Sequence, residues 1–231
     1  MKIFVVHYKK LTERKKYLAD ALQYFAERNK LEFIEDYDRD FISEYDTMYH
    51  KNKDLWIKRV NGLYRDEPGY RDLKNSEICN SLSHLDAMKR IVDQKLNRAI
   101  IIEDDVIINN NFIHNIDKFE RELENQSEKF DFAFFGSSFS INILDNANLS
   151  ESVKVDINTY KKIPGKTRTV DAYIVTYDAA KKILDNIKEI VLPFDFELNY
   201  FFKELNMNVY WYEPGFIYQG SMTGNYISSI R

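Results

Sequence analysis

Three consecutive carboxylates, Glu103, Asp104 and Asp105, follow directly after the apolar run Ala99–Ile102. Four apolar residues in a row predict a strand that is buried on both faces, which places the acids at its carboxyl end. In open α/β sheets this edge is where ligands bind. Adjacent carboxylates repel one another, and taking them into a crevice is costly without a cation. Because Mg²⁺ and Mn²⁺ prefer oxygen ligands and also bind phosphate, the pattern predicts one of these two ions.

Side chains alternate along a strand, so the three acids are not equivalent. Glu103 and Asp105 are expected to point one way and Asp104 the other. Two of the three could therefore hold a metal while the third meets a ribose hydroxyl or a backbone amide. An acidic helix cap or a solvated turn is the alternative for the same residues.

Other reactive side chains form no recognisable constellation. The four histidines, His7, His50, His84 and His114, lack zinc spacing, and neither common glycine-rich phosphate loop is present. The single cysteine, Cys79, precludes an internal disulfide. It falls inside a predicted helix and is interpreted as a core residue. Hydrolysis through a serine or cysteine nucleophile is therefore not supported.

Composition restricts the class of protein. The chain has 231 residues, with 44% hydrophobic and 30% charged residues, which suits one α/β-sized domain with a real core. The net charge of −4 argues against a nucleic-acid partner. No run of about 18 apolar residues predicts a membrane span, and the apolar stretch at the N-terminus is shorter than we expect for a secretory signal. We expect a cytoplasmic protein; peripheral membrane contact and the oligomeric state stay open.

Periodicity predicts an alternation of strands and helices. Strands are predicted at residues 1–6, 31–34, 99–102, 130–135, 170–176 and 208–211, and helices at 11–28, 76–96, 112–123, 178–187 and 197–205. Residues 141–165 are expected to form a long loop, and the tail from 213 onward has no clear pattern. The alternation predicts an α/β fold with a mostly parallel central sheet that is covered by helices on both faces.

Several segments form a family-like pattern in the same order along the chain. Ile3-Phe-Val-Val-His-Tyr8 is followed by Arg14, then Ser76-Glu-Ile-Cys-Asn-Ser-Leu-Ser-His84, then Ile101-Ile-Glu-Asp-Asp-Val106. A later block contains Asp171-Ala-Tyr-Ile-Val-Thr176, Ala179-Ala-Lys-Lys-Ile-Leu184 and Pro193-Phe-Asp195. Over roughly residues 1 to 200 the chain resembles glycosyltransferase family 25, which includes bacterial lipooligosaccharide and collagen hydroxylysine galactosyltransferases.

The resemblance implies a single domain over 1–231 with a GT-A-like, Rossmann-type fold. Its nucleotide-binding part would cover about 1–110 and its acceptor and catalytic part about 111–231. It also implies a sugar-nucleotide donor, commonly UDP-linked, a divalent metal and inversion at the anomeric carbon. Transfer of this kind needs stabilisation of the leaving phosphates and a base for the acceptor hydroxyl.

Site residues follow from the matching positions. The resemblance places Glu103 and Asp105 on the metal, Asp105 being the best candidate ligand, and Asp195 as the catalytic base with Glu197 in reserve. Residues expected to bind the nucleotide sugar are Val6, His7, Tyr8, Arg14, Ser83, His84 and Asp104. The alternatives are an exposed helix arginine for Arg14, a buried core histidine for His84, and helix-capping roles for Asp195 and Glu197.

The sequence departs from the family pattern at several positions. Asn75 and Ser76 replace a glycine, and Asn80 stands where a cysteine is usual, with Cys79 shifted by one. No histidine follows His114, so Asp195, Gln219 or water would complete the metal site.

The leading hypothesis is a metal-dependent inverting glycosyltransferase that uses Mn²⁺ or Mg²⁺. It would move a hexose, galactose or glucose, from a UDP-sugar to a hydroxyl of a glycan or protein, for example in lipopolysaccharide biosynthesis. Two alternatives stay open. The first is a catalytically inactive module that binds a nucleotide sugar or glycan. The second is a metal-dependent phosphohydrolase or nucleotidyltransferase.

Overall fold

The computed structural model describes residues 1–44, 51–61, 70–136, 152–163 and 169–226. The strands are β1 Lys2–Val6, β2 Leu31–Ile34, β3 Arg98–Glu103, β4 Val106–Ile108, β5 Phe132–Phe134, β6 Ser152–Lys154, β7 Thr159–Lys162, β8 Ala172–Thr176, β9 Val209–Tyr212 and β10 Ile217–Gln219. The helices are α1 Thr12–Ala21, α2 Gln23–Ala26, α3 Lys53–Asn61, α4 Asn75–Asp93, α5 Phe112–Glu124, α6 Tyr177–Asn186, α7 Phe194–Glu204 and α8 Gly220–Thr223. A 3₁₀ segment covers Arg39–Glu44.

Within the described residues, eight strands form one sheet in the order β2-β1-β3-β8-β5-β9-β7-β6, and β10 pairs separately with β4. The neighbours β2, β1 and β3 are parallel, as are β5 and β9. The other pairings in the large sheet are antiparallel. The predicted α/β class is confirmed, and the sheet is mixed. Strand β8 starts at the edge where β3 ends, with the Glu103 amide donating to the Asp171 carbonyl at 3.0 Å, so it must run back antiparallel.

Helices cover both faces of this sheet, as predicted. Alternation along β1 sends Ile3 and Val5 to one face and Phe4 and Val6 to the other, and all four are buried. The first face packs against α1, α2 and α5, and the second against α4, α6 and α7. The apolar face of each helix is therefore what fixes it on the sheet.

Helix α4 is the longest described helix, and it carries several predicted site residues. Its buried positions Ile78, Leu82, Leu85, Met88 and Ile91 recur at helical spacing, as the sequence predicts. At its start the Glu77 carboxylate accepts the Lys74 amide at 2.8 Å. Within the described part of the chain, no helix has both the length and the apolar character that a membrane crossing requires.

Three segments differ from the sequence-based expectation. The predicted helix 11–28 is interrupted at Leu22, where φ is −107° and ψ is 21°, giving α1 and α2. The predicted loop 141–165 contains the hairpin of β6 and β7 in its described part, and the tail contains β10 and α8. These short elements depend on distant partners, such as the pairing of Tyr160 with Trp211, and so carry no periodicity of their own.

We expect Ile174→Ala to lower the free energy of unfolding by about 2–5 kcal/mol, because the side chain is fully buried. Ile174 lies in β8 between Ile100 of β3 and Ala133 of β5. Urea denaturation would measure the loss. The control Ile157→Ala alters a side chain that is 69% exposed and should change the value by at most about 0.5 kcal/mol. Equal losses in the two variants would contradict this view of the core.

Candidate functional site

The candidate site is a pocket at the carboxyl ends of β1 and β3. The chain passes from β1 to β2 through α1 and α2 on one face, and from β2 to β3 through α4 on the other. The strand order therefore reverses between β1 and β3, which is where ligands bind in open α/β sheets. The predicted site residues that line this pocket are Val6, His7, Tyr8, Ser83, Glu103, Asp104 and Asp105.

Asp104 is buried and is neutralised by the protein itself. Its Oδ2 accepts His7 Nδ1 at 2.9 Å and the Tyr8 amide at 3.1 Å, while its Oδ1 accepts Arg14 Nη1 at 2.6 Å. Burial alone would raise its pKa, but the His7 hydrogen bond, the Arg14 charge and the Tyr8 amide together hold the pKa below its usual value. Asp104 thus stays ionised and joins β1 and α1 to the end of β3.

Arg14 is correspondingly buried against protein groups. Besides Asp104, its guanidinium faces the ring of Tyr226, with the guanidinium carbon 4.8 Å from the ring centroid. Arg14 therefore contacts both Asp104 and Tyr226, and connects the acidic edge to the C-terminal segment.

Among the residues that the structure describes, Glu103 and Asp105 have no comparable cationic partner. Burial, together with the charges of Asp104 and Asp195, raises the pKa of Glu103 to about 7, although Asn80 Nδ2 donates to its Oε1 at 3.0 Å. Burial and the charge of Glu103 raise the pKa of Asp105 to about 7, opposed by a hydrogen bond from Ser221. Desolvated carboxylates with such pKa values favour a bound proton or cation.

Two buried oxygens in this pocket accept no hydrogen bond from the described residues, namely Oδ1 of Asp105 and Oε1 of Gln219. No group of three His, Cys, Asp or Glu side chains suited to a metal occurs in the described ranges. Mg²⁺ is usually held by one or two carboxylates, with water and substrate phosphates completing its shell. Glu103, Asp105 and the Gln219 amide oxygen therefore fit a cation that is shared with a phosphate ligand.

His84 is a fully buried part of α4 and lies next to Glu103. Its Nδ1 is 2.9 Å from the hydroxyl of Tyr173, and its Nε2 is 3.5 Å from Oε1 of Glu103. The ring stacks on Phe194, with centroids 4.7 Å apart. Burial lowers its pKa to about 3, so His84 is neutral at physiological pH. It therefore links the acidic edge to the beginning of α7.

The two predicted candidate bases occupy different environments. Asp195 lies in the first turn of α7. Its charge counteracts the burial effect on the pKa of His84 and adds to the rise in the pKa of Glu103, so it lies near the acidic edge. Glu197 is fully buried instead, and both its oxygens accept Arg59 Nη1 at 2.6 Å. Its Oε1 also accepts the amides of Val191 and Leu192, at 2.7 and 2.9 Å.

Cys79 also lines the pocket, and its environment favours the protonated thiol. Burial, followed by the nearby charge of Asp38, raises its pKa to about 11, so little thiolate exists near neutral pH. This agrees with its interpretation from the sequence as a core residue.

Sequence reasoning missed some residues of the site. Tyr37 and Arg39 line the pocket, and Arg59 holds Glu197. Tyr37 and Arg39 belong to a charged, aromatic stretch without periodicity, so no signal in the sequence identifies them. Arg59 offers no signal either, because its partner is 138 residues away along the chain.

Comparison with known proteins identifies the family. The family model described as "Glycosyltransferase family 25 (LPS biosynthesis protein)" matches residues 1–198. The chain belongs to glycosyltransferase family 25. This confirms the resemblance found in the sequence.

Individual proteins that match this family 25 chain share little of its sequence. The "Procollagen lysyl hydroxylase and glycosyltransferase" of Acanthamoeba polyphaga mimivirus is 26% identical over 133 residues. The match covers 54% of this chain and 14% of that protein, so the chain corresponds to a small part of its relative. Among solved structures, apo mouse xyloside xylosyltransferase 1 aligns with a TM-score of 0.36 and 10% identity, covering 96% of this chain and 84% of that one.

The stability of this family 25 protein should depend on pH through Asp105. The folded-state pKa of about 7 lies above the ordinary value of 3.8, so the folded protein binds more protons than the unfolded chain between these values. Stability is therefore lost as pH rises from about 4 to 7. With a chelator present, we expect Asp105→Asn to exceed the wild type in free energy of unfolding by roughly 1–3 kcal/mol at pH 8, and by little at pH 4.

The matched control for this experiment is Asp117→Asn, since Asp117 is exposed on α5. Its difference from the wild type should be constant across the range. Urea titrations at a series of pH values would measure both variants. A pH-independent difference for Asp105→Asn would contradict the described environment of this carboxyl.

Proposed function

We propose that this glycosyltransferase is a metal-dependent, inverting hexosyltransferase that moves galactose or glucose from a UDP-sugar to a hydroxyl of a glycan or protein. The observation that carries the proposal is the buried Oδ1 of Asp105, which has no hydrogen-bond partner among the described residues and lies beside Glu103 at the strand-order reversal. A cation there would remove the cost of two desolvated carboxylates and would bring a diphosphate with it.

Three side chains of the acidic edge would face the metal. Glu103 and Asp105 would hold Mn²⁺ or Mg²⁺, with the Gln219 amide oxygen as a further ligand. When bound, the ion would act as a Lewis acid that stabilises the leaving diphosphate. Asn80 orients Glu103 through its 3.0 Å hydrogen bond, and the Gly220 amide donates to the Asp105 carbonyl at 2.5 Å. The first contact holds the Glu103 carboxylate and the second holds the Asp105 backbone before a ligand arrives.

Inversion requires one displacement at the anomeric carbon, and therefore one base for the acceptor hydroxyl. Asp195 is the favoured base because it lies near the acidic edge in the first turn of α7. Glu197 would act as a positioning residue, because Arg59 and the amides of Val191 and Leu192 hold it in a fixed contact. This contact fixes the segment that leads into α7 and thereby the position of Asp195.

Thermal unfolding with a panel of UDP-, GDP- and CMP-sugars, with and without Mn²⁺, tests the donor. We expect a UDP-sugar to stabilise the folded protein only when Mn²⁺ is present, by about 2.7 kcal/mol at 100-fold excess over Kd. Asp105→Ala should remain folded, show no such shift and lose transfer activity. Stabilisation that is independent of metal, or full activity of Asp105→Ala, would refute the metal assignment. Binding without turnover would instead favour an inactive binding module.

A second test separates the roles of Asp195 and Glu197. Asp195→Asn should lower kcat by about 10²- to 10⁴-fold with little change in thermal stability or in the KM for the donor, because it removes only the proton acceptor. Glu197→Gln should chiefly lower the free energy of unfolding, by about 3 kcal/mol, because it leaves Arg59 buried without its anion. Transfer assays and urea denaturation of both variants measure this. An Asp195→Asn enzyme with normal kcat would exclude Asp195 as the base.

A further inference from the structure

The pocket has walls of opposite charge. Its β3 wall contributes three carboxylates, whereas the opposite wall is formed by the segment that follows β2 and carries Arg39. Among the described residues that line the pocket, Arg39 is the one lysine or arginine. Arg14, the other nearby arginine considered from the sequence, is already hydrogen-bonded to Asp104 behind the acidic edge.

The backbone that carries Arg39 is held from two sides. The buried Asp38 accepts the Asp40 amide on its Oδ1 at 3.0 Å, which fixes the turn on which Arg39 stands. Asn75, at the start of α4, donates from Nδ2 to the Arg39 carbonyl at 3.3 Å. The position of Arg39 relative to the pocket is therefore set by the fold.

The side chain of Arg39 is oriented as well. Its guanidinium carbon is 4.3 Å from the centroid of the Tyr8 ring, and Tyr8 itself follows β1 and lines the same pocket. Stacking on an aromatic ring involves one face of a guanidinium, whose N–H donors lie in its plane. A guanidinium matches a phosphate, which can accept two parallel hydrogen bonds from it.

We infer that Arg39 is a binding residue for the phosphates of the donor, meeting them from the wall opposite Glu103 and Asp105. The inference rests on the proposed function and extends it to a residue that neither the motifs nor the family pattern singles out. A ligand that spans the pocket would need an anionic group for Arg39. On the other wall it would need a group that binds the cation held by Glu103 and Asp105. A diphosphate supplies both, because its oxygens bind a divalent cation and also accept hydrogen bonds from a guanidinium.

Calorimetric titration with Mn²⁺ present tests this role, using UDP, inorganic pyrophosphate and uridine as probes. Arg39→Gln should weaken UDP and pyrophosphate by about 10- to 100-fold and uridine by less than about twofold, because only the phosphates lose a charged donor. Arg39→Lys should give an intermediate loss, since lysine keeps the charge without the two-pronged geometry. Circular dichroism and thermal unfolding establish that both variants are folded.

The matched control is Lys10→Gln. Lys10 also lies over the Tyr8 ring, 5.8 Å from its centroid, but its side chain is 51% exposed and pairs with Asp40 at the surface. Its replacement should change UDP affinity by less than about threefold. An equal loss for uridine and UDP in Arg39→Gln would mean that Arg39 acts by ordering Tyr8, and unchanged UDP and pyrophosphate affinities would also overturn the inference.

The probes separate this inference from the proposed function. Wild-type protein that binds UDP and transfers sugar, with Arg39→Gln equally competent, would refute the role of Arg39 alone. Pyrophosphate binding that is lost in Arg39→Gln, without binding of any sugar nucleotide, would keep the phosphate site and refute the donor assignment. Wild-type protein that binds neither UDP nor pyrophosphate would overturn both.

Discussion

The desolvation of three neighbouring carboxylates at one sheet edge, Asp104 and Asp105 buried and Glu103 partly buried, is the constraint on which the rest of the site depends. Buried anions of the same sign raise each other's pKa and oppose folding unless a positive group is near. The fold compensates the charge of Asp104 through hydrogen bonds from His7, Arg14 and the Tyr8 amide. It leaves Glu103 and Asp105 with pKa values of about 7. Asp104 and Asp105 lie in the two-residue turn between β3 and β4, and only Asp104 is compensated there.

Three elements around the pocket each contact one of the three acidic residues. Helix α1 supplies Arg14 to Asp104, and α4 supplies Asn80 and His84 to Glu103. The C-terminal segment closes the remaining side at Asp105. A side chain on Gly220 would come within 2.9 Å of the Asp105 carbonyl oxygen and even closer to the Tyr226 ring, so the segment can approach only with glycine there. Elements that are distant in sequence thus converge on the three consecutive residues Glu103, Asp104 and Asp105.

The parts that could be predicted from sequence are those with strong local patterns. The apolar run before Glu103 and the helical spacing of Ile78, Leu82 and Leu85 gave β3 and α4 correctly. The hairpin of β6 and β7 and the pairing of β10 with β4 escaped prediction, because short strands are stabilised by partners far away in sequence. The contact of Glu197 with Arg59 is of the same kind. No local pattern distinguishes a buried carboxylate held by an arginine from one that faces a ligand.

The charges on the two walls of the pocket are complementary: carboxylates lie on the β3 wall and Arg39 lies on the other. With Asp104 compensated by Arg14, Glu103 and Asp105 present two negative charges when ionised, which match one divalent cation. In the proposed complex, a diphosphate would bring further negative charge, and its oxygens would share the cation with both carboxylates. The Arg39 guanidinium would relieve that competition, because it would bind phosphate oxygens and not the cation. In this proposal, the compensation of Asp104 inside the fold leaves the other two acids for the ligand and gives Arg39 a separate role.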